Sequence, residues 1–193
     1  MAALVVGGAG LAPPGPQRPA PNLGAFAPTP TEVVERMLKL AEVTRDDVVY
    51  DLGSGDGRIV NLAAERHGAR GVGVEIDPQL VWFSRRNAKR AQVEHLVRFL
   101  NEDALTVDIA SATVVTLYLS SKANLLLRPK LQRELRRGAR VVSHTHDMGD
   151  WWPERVEHVK VRSGEEHILY LWRIALPRDG AVRCGRDLRS AGR

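Results

Sequence analysis

An acid-led glycine turn, Asp51-Leu52-Gly53-Ser54-Gly55-Asp56-Gly57-Arg58, leaves few folds open to this 193-residue chain. It follows a short apolar run, Val48 to Leu52, and precedes a stretch, about Arg58 to His67, whose apolar residues keep helical spacing. A strand that turns through glycines into a helix is the opening unit of a parallel α/β sheet, and such sheets bind ligands outside the carboxyl ends of their strands. Glycines at alternate positions let the backbone turn tightly and approach a ligand with no side chain between. A dinucleotide loop, G-x-G-x-x-G, needs glycine where Arg58 stands, and it leaves its helix start open to a pyrophosphate. Asp51 and Asp56 put negative charge there, which repels a diphosphate and suits a cationic ligand.

The same unit repeats along the chain. Thr29-Pro30-Thr31-Glu32 reads as a helix start with Thr29 as cap and Pro30 at the first helical position. Val33, Val34, Met37, Leu38 and Ala41 then share one face as far as Val43. Strands are expected at Gly71–Ile76, Leu96–Leu100, Thr113–Leu119 and Arg140–Ser143. Two more, Glu154–Val161 and His167–Ile174, are joined at Ser163-Gly164. Helices are expected from Pro78 to about Gln92 and from Lys122 to Arg137, where Pro129 predicts a kink or early break. Helices between short apolar strands place helical layers on both faces of the sheet. The expectation is a Rossmann-like three-layer α/β sandwich, with a seven-stranded, mostly parallel sheet and one antiparallel strand from the closing hairpin.

Hydrophobic residues make up 44% of the chain and charged residues 26%, the balance of a soluble globular protein. One domain is expected over 28–176. Residues 1–27, rich in Pro, Gly and Ala, read as a flexible leader, and 177–193 as a flexible tail with five arginines against two aspartates. That tail is a solvated end without aromatics, so nucleic acid is not the expected partner. The single Cys184 excludes a disulfide framework, and no apolar run is long enough to span a bilayer. A cytoplasmic protein is expected. The alternative is an exported or membrane-associated one, if Leu4 to Leu11 is the remnant of a targeting signal. No residue pattern specifies an oligomeric state.

Two further carboxylates complete the candidate site. Glu75 ends the second strand about twenty residues beyond the glycine turn, where an acid accepts from both ribose hydroxyls. Ile76 then packs on an adenine face. After the third strand, Asp103, followed by Ala104, is placed to accept from an adenine amino group.

These motifs resemble those of class I S-adenosylmethionine-dependent methyltransferases. DLGSGDGRIV, VGVEIDPQLV, TVVTLYL and LRPKLQRELRRGARVVS are also similar to a narrower family. These are the lysine methyltransferases acting on the mitochondrial ATP synthase c subunit and the ADP/ATP translocase, with their bacterial relatives. The resemblance implies S-adenosyl-L-methionine as cofactor and a protein lysine as acceptor. It implies that Pro28-Thr29 and the first helix fold over the cofactor. It also assigns cofactor binding to Thr29, Asp51, Gly53, Ser54, Gly55, Gly57, Glu75, Ile76, Asp103 and Ala104. Members of that family carry a membrane-associated segment before the catalytic domain. The leader here is shorter and broken by glycines, so no stable membrane insertion is expected.

Enzymes that methylate base or amide nitrogens often place an Asn/Asp-Pro-Pro-aromatic motif after the fourth strand. Here that position reads Thr116-Leu117-Tyr118-Leu119, and Tyr118 is expected to line an acceptor channel. His144-Thr145-His146-Asp147 follows the fifth strand, and His144 and Asp147 are candidate proton acceptors or polar walls. Methyl transfer needs no metal, so no metal site is expected from these side chains. Trp151-Trp152 is read as packing rather than as a substrate rim, and Trp82, Phe83 and Trp172 as packing residues. The rival readings are a methyl acceptor in RNA or a small amine, a non-catalytic cofactor-binding regulator, and a nicotinamide oxidoreductase.

Overall fold

The computed structural model describes residues 27–175. The basic tail and, apart from Ala27, the leader lie outside the described residues. Eleven elements alternate along the described chain: α1 (Thr31–Leu40), β1 (Val48–Leu52), α2 (Arg58–His67), β2 (Arg70–Glu75), α3 (Pro78–Arg90), β3 (Val97–Asn101), β4 (Val114–Leu117), α4 (Ser121–Glu134), β5 (Arg140–His144), β6 (Arg155–Lys160) and β7 (Glu166–Arg173). The strands form one sheet in the order β3-β2-β1-β4-β5-β7-β6. β1 pairs in parallel with β2 and β4, and β5 in parallel with β4. β7 runs antiparallel to both β5 and β6, and is the one reversed strand. Gly164, at φ 91°, turns the hairpin that creates it.

Side chains of the central strands go alternately to two cores. Val49 joins Val33, Met37 and Leu38 of α1 and Val60 and Ala63 of α2 on one face. Tyr50 and Leu52 join Leu127 and Leu131 of α4, with Ile109 and Trp172, on the other. All four residues of β4 are buried, as expected of a parallel strand covered on both faces.

At the amino edge of the sheet, Asp47 acts as a clamp. Its carboxylate accepts from Thr113 Oγ1 at 2.7 Å and Thr44 N at 2.8 Å, and pairs with Arg140 of β5. Arg140 also donates to Ala41 O at the end of α1. Burial pushes the Asp47 carboxyl up, but the Thr113, Thr44 and Arg140 contacts outweigh it and hold it below the usual range.

Three local expectations change. The first helix starts at Thr31, with Pro30 rather than Thr29 at its N-cap and no side-chain cap; Thr29 turns inward instead and is 3% exposed. α4 runs through Pro129. The proline deprives the Leu125 carbonyl of its partner, and Leu125 is exposed to water, which limits the cost. Trp82 and Phe83 are exposed, packing edge-on against each other with ring centroids 5.0 Å apart, and Arg86 lies over Trp82.

From β1 the chain winds to β2 and β3 on one side, then crosses to β4 and β5 on the other. The reversal opens a crevice at the carboxyl ends of β1 and β4.

Candidate functional site

A cavity of ≈ 670 Å³ occupies that crevice, within the range of cofactor pockets. The glycine turn forms its floor. Gly53 N and Ser54 N both donate to Val74 O, at 2.8 and 2.9 Å, tying the turn to β2. A Cβ on Gly53, at φ 83°, would come within 2.7 Å of the Leu119 side chain. Gly57, expected to bind a ligand, does not line the cavity. A Cβ there would lie 2.6 Å from Phe99 and 2.7 Å from Ser84, so this glycine lets α2 start close against β3 and α3.

Asp51 and Glu75 both face the cavity. Thr116, its register partner on β4, donates to Asp51 Oδ1 at 2.8 Å. Asp51 is 2% exposed and belongs to no ion pair among the described residues. Burial, with nearby Glu75 and Asp56, pushes its carboxyl up to about 7 against the Thr116 hydrogen bond. Glu75 accepts from Gly55 N at 2.8 Å and from Asp77 N at 3.0 Å. It does not cap α3; Asp77 does, accepting from Gln79 N. Asn101 donates to the carbonyls of Glu75 and Ile76, which fixes this strand end and leaves Ile76 exposed on the cavity wall. Asp103 and Ala104 also line it, and Asp103 Oδ1 accepts from Leu105 N.

At the other end Tyr118 lines the cavity, while His144 and Asp147 do not. His144 is wholly buried behind Tyr118, ring centroids 3.9 Å apart. Asp147 caps its own loop by accepting from Gly149 N. His146 lines the cavity in their place. Strand alternation puts His144 and His146 on one side, but β5 ends at His144 and Thr145 takes φ 68°. Asn124 and Ser143 then hold the His146 carbonyl at 3.0 and 2.6 Å, and Ser121 Oγ sits 3.1 Å from His146 Nδ1. No signal in the sequence marks that turn.

Arg58, read at first only as a missing glycine, ties the N-terminal segment down. Its guanidinium pairs with Asp56 and donates to Thr29 O at 2.9 Å, so Ala27, Pro28 and Thr29 wall the cavity. Trp151 packs on Trp172, whose Nε1 donates to Trp151 O, whereas Trp152, also expected to pack, is exposed, and neither lines the cavity.

Residues 51–155, from the glycine turn to the start of β6, match the ANTKMT methyltransferase domain. The chain belongs to the ANTKMT methyltransferase family. It is 42% identical over 149 residues to the protein-lysine N-methyltransferase of Saccharolobus islandicus, covering 76% of this chain and 91% of that protein. It is 37% identical over 131 residues to the human lysine N-methyltransferase of the ATP synthase c subunit, covering 68% of this chain and 55% of that protein. It thus spans little more than half the length of that relative. An RNA methyltransferase from Salinibacter ruber, crystallised with S-adenosyl-L-homocysteine, is similar in structure at a TM-score of 0.73. It shares 53% identity, covering 79% of this chain and 98% of that one. This ANTKMT-family protein is an S-adenosyl-L-methionine-dependent methyltransferase. The site fits that cofactor: Asp51 is a buried carboxylate without a cation, and a side chain on Gly53 would collide with Leu119 at the floor. Among the described residues, no helix is long and apolar enough to cross a membrane.

Proposed function

We propose that this methyltransferase acts on lysine side chains of a protein, in the cytoplasm. The observation that carries this reading is the 42% identity to a relative named for protein-lysine methylation, and the charge of the cavity accords with a cationic cofactor. Asp51, Asp56, Glu75, Asp77, Glu102 and Asp103 line it, against one arginine, Arg58, which is paired with Asp56. Such a lining favours the cationic cofactor. The relatives named for lysine methylation support the same acceptor.

In this reading Asp51 takes the cofactor's ammonium group, and Glu75 the two ribose hydroxyls. Gly53, Ser54 and Gly55 give the methionine moiety a bare backbone. Ile76 packs on the adenine, with Asp103 and Ala104 at its polar edge. Gly57 supports the turn from outside. The cofactor supplies a methyl group on a sulfonium leaving group, so the protein chiefly aligns the partners and excludes water. A lysine amine must arrive neutral, although its ordinary pKa is about 10.4. Tyr118 and Leu119 form the wall that desolvates it, which lowers that value. His146, the imidazole lining the cavity, is our choice of proton acceptor in place of His144 and Asp147.

The Salinibacter ruber protein's name favours a second reading, an RNA acceptor. Incubation with methyl-labelled cofactor and separate pools of protein, RNA and small metabolites decides between them. Label is expected in protein, recovered as methylated lysine after hydrolysis. Label confined to RNA would overturn the lysine assignment.

A further inference from the structure

Behind Tyr118 lies a polar cluster that the reaction does not use directly. His144 Nε2 is 2.9 Å from His167 Nδ1 on β7, and His144 Nδ1 is 3.3 Å from Thr29 Oγ1. Burial, with His167 and His146 nearby, holds His144 down to about 4. Its ring is therefore neutral near neutral pH, with one nitrogen donating and the other accepting.

Two proton arrangements are open to the cluster. In the first, Thr29 donates to His144 Nδ1 and His144 Nε2 donates to His167 Nδ1. With its Nδ1 accepting, His167 then carries its proton on Nε2, which is buried without a partner. In the second, His167 Nδ1 donates to His144 Nε2, and His144 Nδ1 donates to the Thr29 hydroxyl. His167 Nε2 is then only an unused lone pair. A buried N–H without an acceptor is the costlier defect, so the second arrangement is favoured. There the Thr29 oxygen already accepts from His144, and its own proton is left to donate elsewhere.

Thr29 lines the cavity beside Arg58, which holds its carbonyl. Arg58, paired with Asp56, is the one arginine or lysine in the lining, so the corner it shares with Thr29 repels a ligand carboxylate less than the unpaired acids do. We propose that the His167–His144 pair orients the Thr29 hydroxyl as a hydrogen-bond donor to the carboxylate of the cofactor's methionine moiety. His144 is then a positioning residue, acting through Thr29. This inference rests on the cavity being the cofactor pocket.

Calorimetric titration with two ligands tests it: S-adenosyl-L-homocysteine, and 5′-methylthioadenosine, which lacks the amino acid part. Thr29→Val is expected to weaken S-adenosyl-L-homocysteine about 10-fold, the scale of a charge-assisted hydrogen bond, and 5′-methylthioadenosine less than about twofold. His144→Phe is expected to copy that pattern, and the double variant to be no weaker than either single one. Equal weakening of both ligands, unchanged S-adenosyl-L-homocysteine binding, or additive losses would overturn the proposal. If His144→Phe does not fold, His167→Phe, which removes the donor to His144, takes its place and is expected to show the same pattern. Wild-type protein that binds neither ligand would instead overturn the assignment of the cavity.

Discussion

Asp51 is the residue where sequence, burial and ligand chemistry meet. Read from the sequence, it is an acid before a glycine; in the fold it is a buried carboxyl group near the end of β1, held by Thr116 of β4 and facing the cavity. Burial pushes it up to about 7, so the free protein holds a proton there at mildly acidic pH. An ammonium group pairs only with the ionised form. Cofactor binding is therefore expected to release a proton, and affinity to fall as pH drops from about 8 to about 6. Calorimetry in buffers of different ionisation enthalpy measures the proton directly. Asp51→Asn is expected to bind weakly at every pH, without that dependence. A wild-type affinity that stays flat over the same range would show that Asp51 does not pair with the ligand. The charge at this position was readable in the sequence, but its degree of burial was not, because Thr116 comes from a strand 65 residues away.

Among the elements, β1, β4, β5 and α1 are held at their ends by the Asp47–Arg140–Thr113 clamp. Arg140 is mostly buried and serves Asp47 and the carbonyl of Ala41 together. Arg140→Met is expected to lower stability by about 3 kcal/mol, since it leaves a buried carboxylate short of its counter-charge. Urea denaturation measures that loss, and cofactor affinity in the folded variant should barely change, as the clamp lies away from the cavity. A loss below about 0.5 kcal/mol would mean the pair behaves like an exposed one. Nothing in the sequence singled out this clamp, because its members are scattered acids, arginines and threonines without spacing. The elements themselves were readable: α2 spans the expected residues, and the strands fall within two residues at most of their bounds. Their signals are local, in apolar periodicity and the glycines between. The helix start at Thr31 was missed because a buried tertiary contact, Thr29 with His144, outweighs a local cap.

For the whole molecule, two buried groups make stability depend on pH in opposite senses. The Asp51 carboxyl is raised from 3.8 to about 7, so its contribution is fully present below the unfolded value and is lost as pH rises through the folded one. The His144 imidazole is lowered from 6.5 to about 4, so its contribution is full above 6.5 and is lost as pH falls toward 4. Between those limits the two offset each other, and the ligand-free protein is expected to be nearly indifferent to pH. Asp51→Asn removes one partner, and its urea midpoint is expected to drop steadily as pH falls through that window. A midpoint as level as the wild type's would mean that His144 is not held neutral by the fold.

The sequence by itself determined the alternating α/β order, the acid-led turn and the acids at the ends of β2 and β3. Each of these is written in a few consecutive residues and in the period of the elements that follow. Only the tertiary structure decided that Gly57 sits against Phe99 and Ser84 outside the cavity lining, that His146 rather than His144 reaches the cavity, and that Arg58 holds Thr29 over it. Those outcomes depend on atoms brought together from distant strands, where a single left-handed residue or a buried contact redirects a side chain. Local spacing carries no record of such meetings.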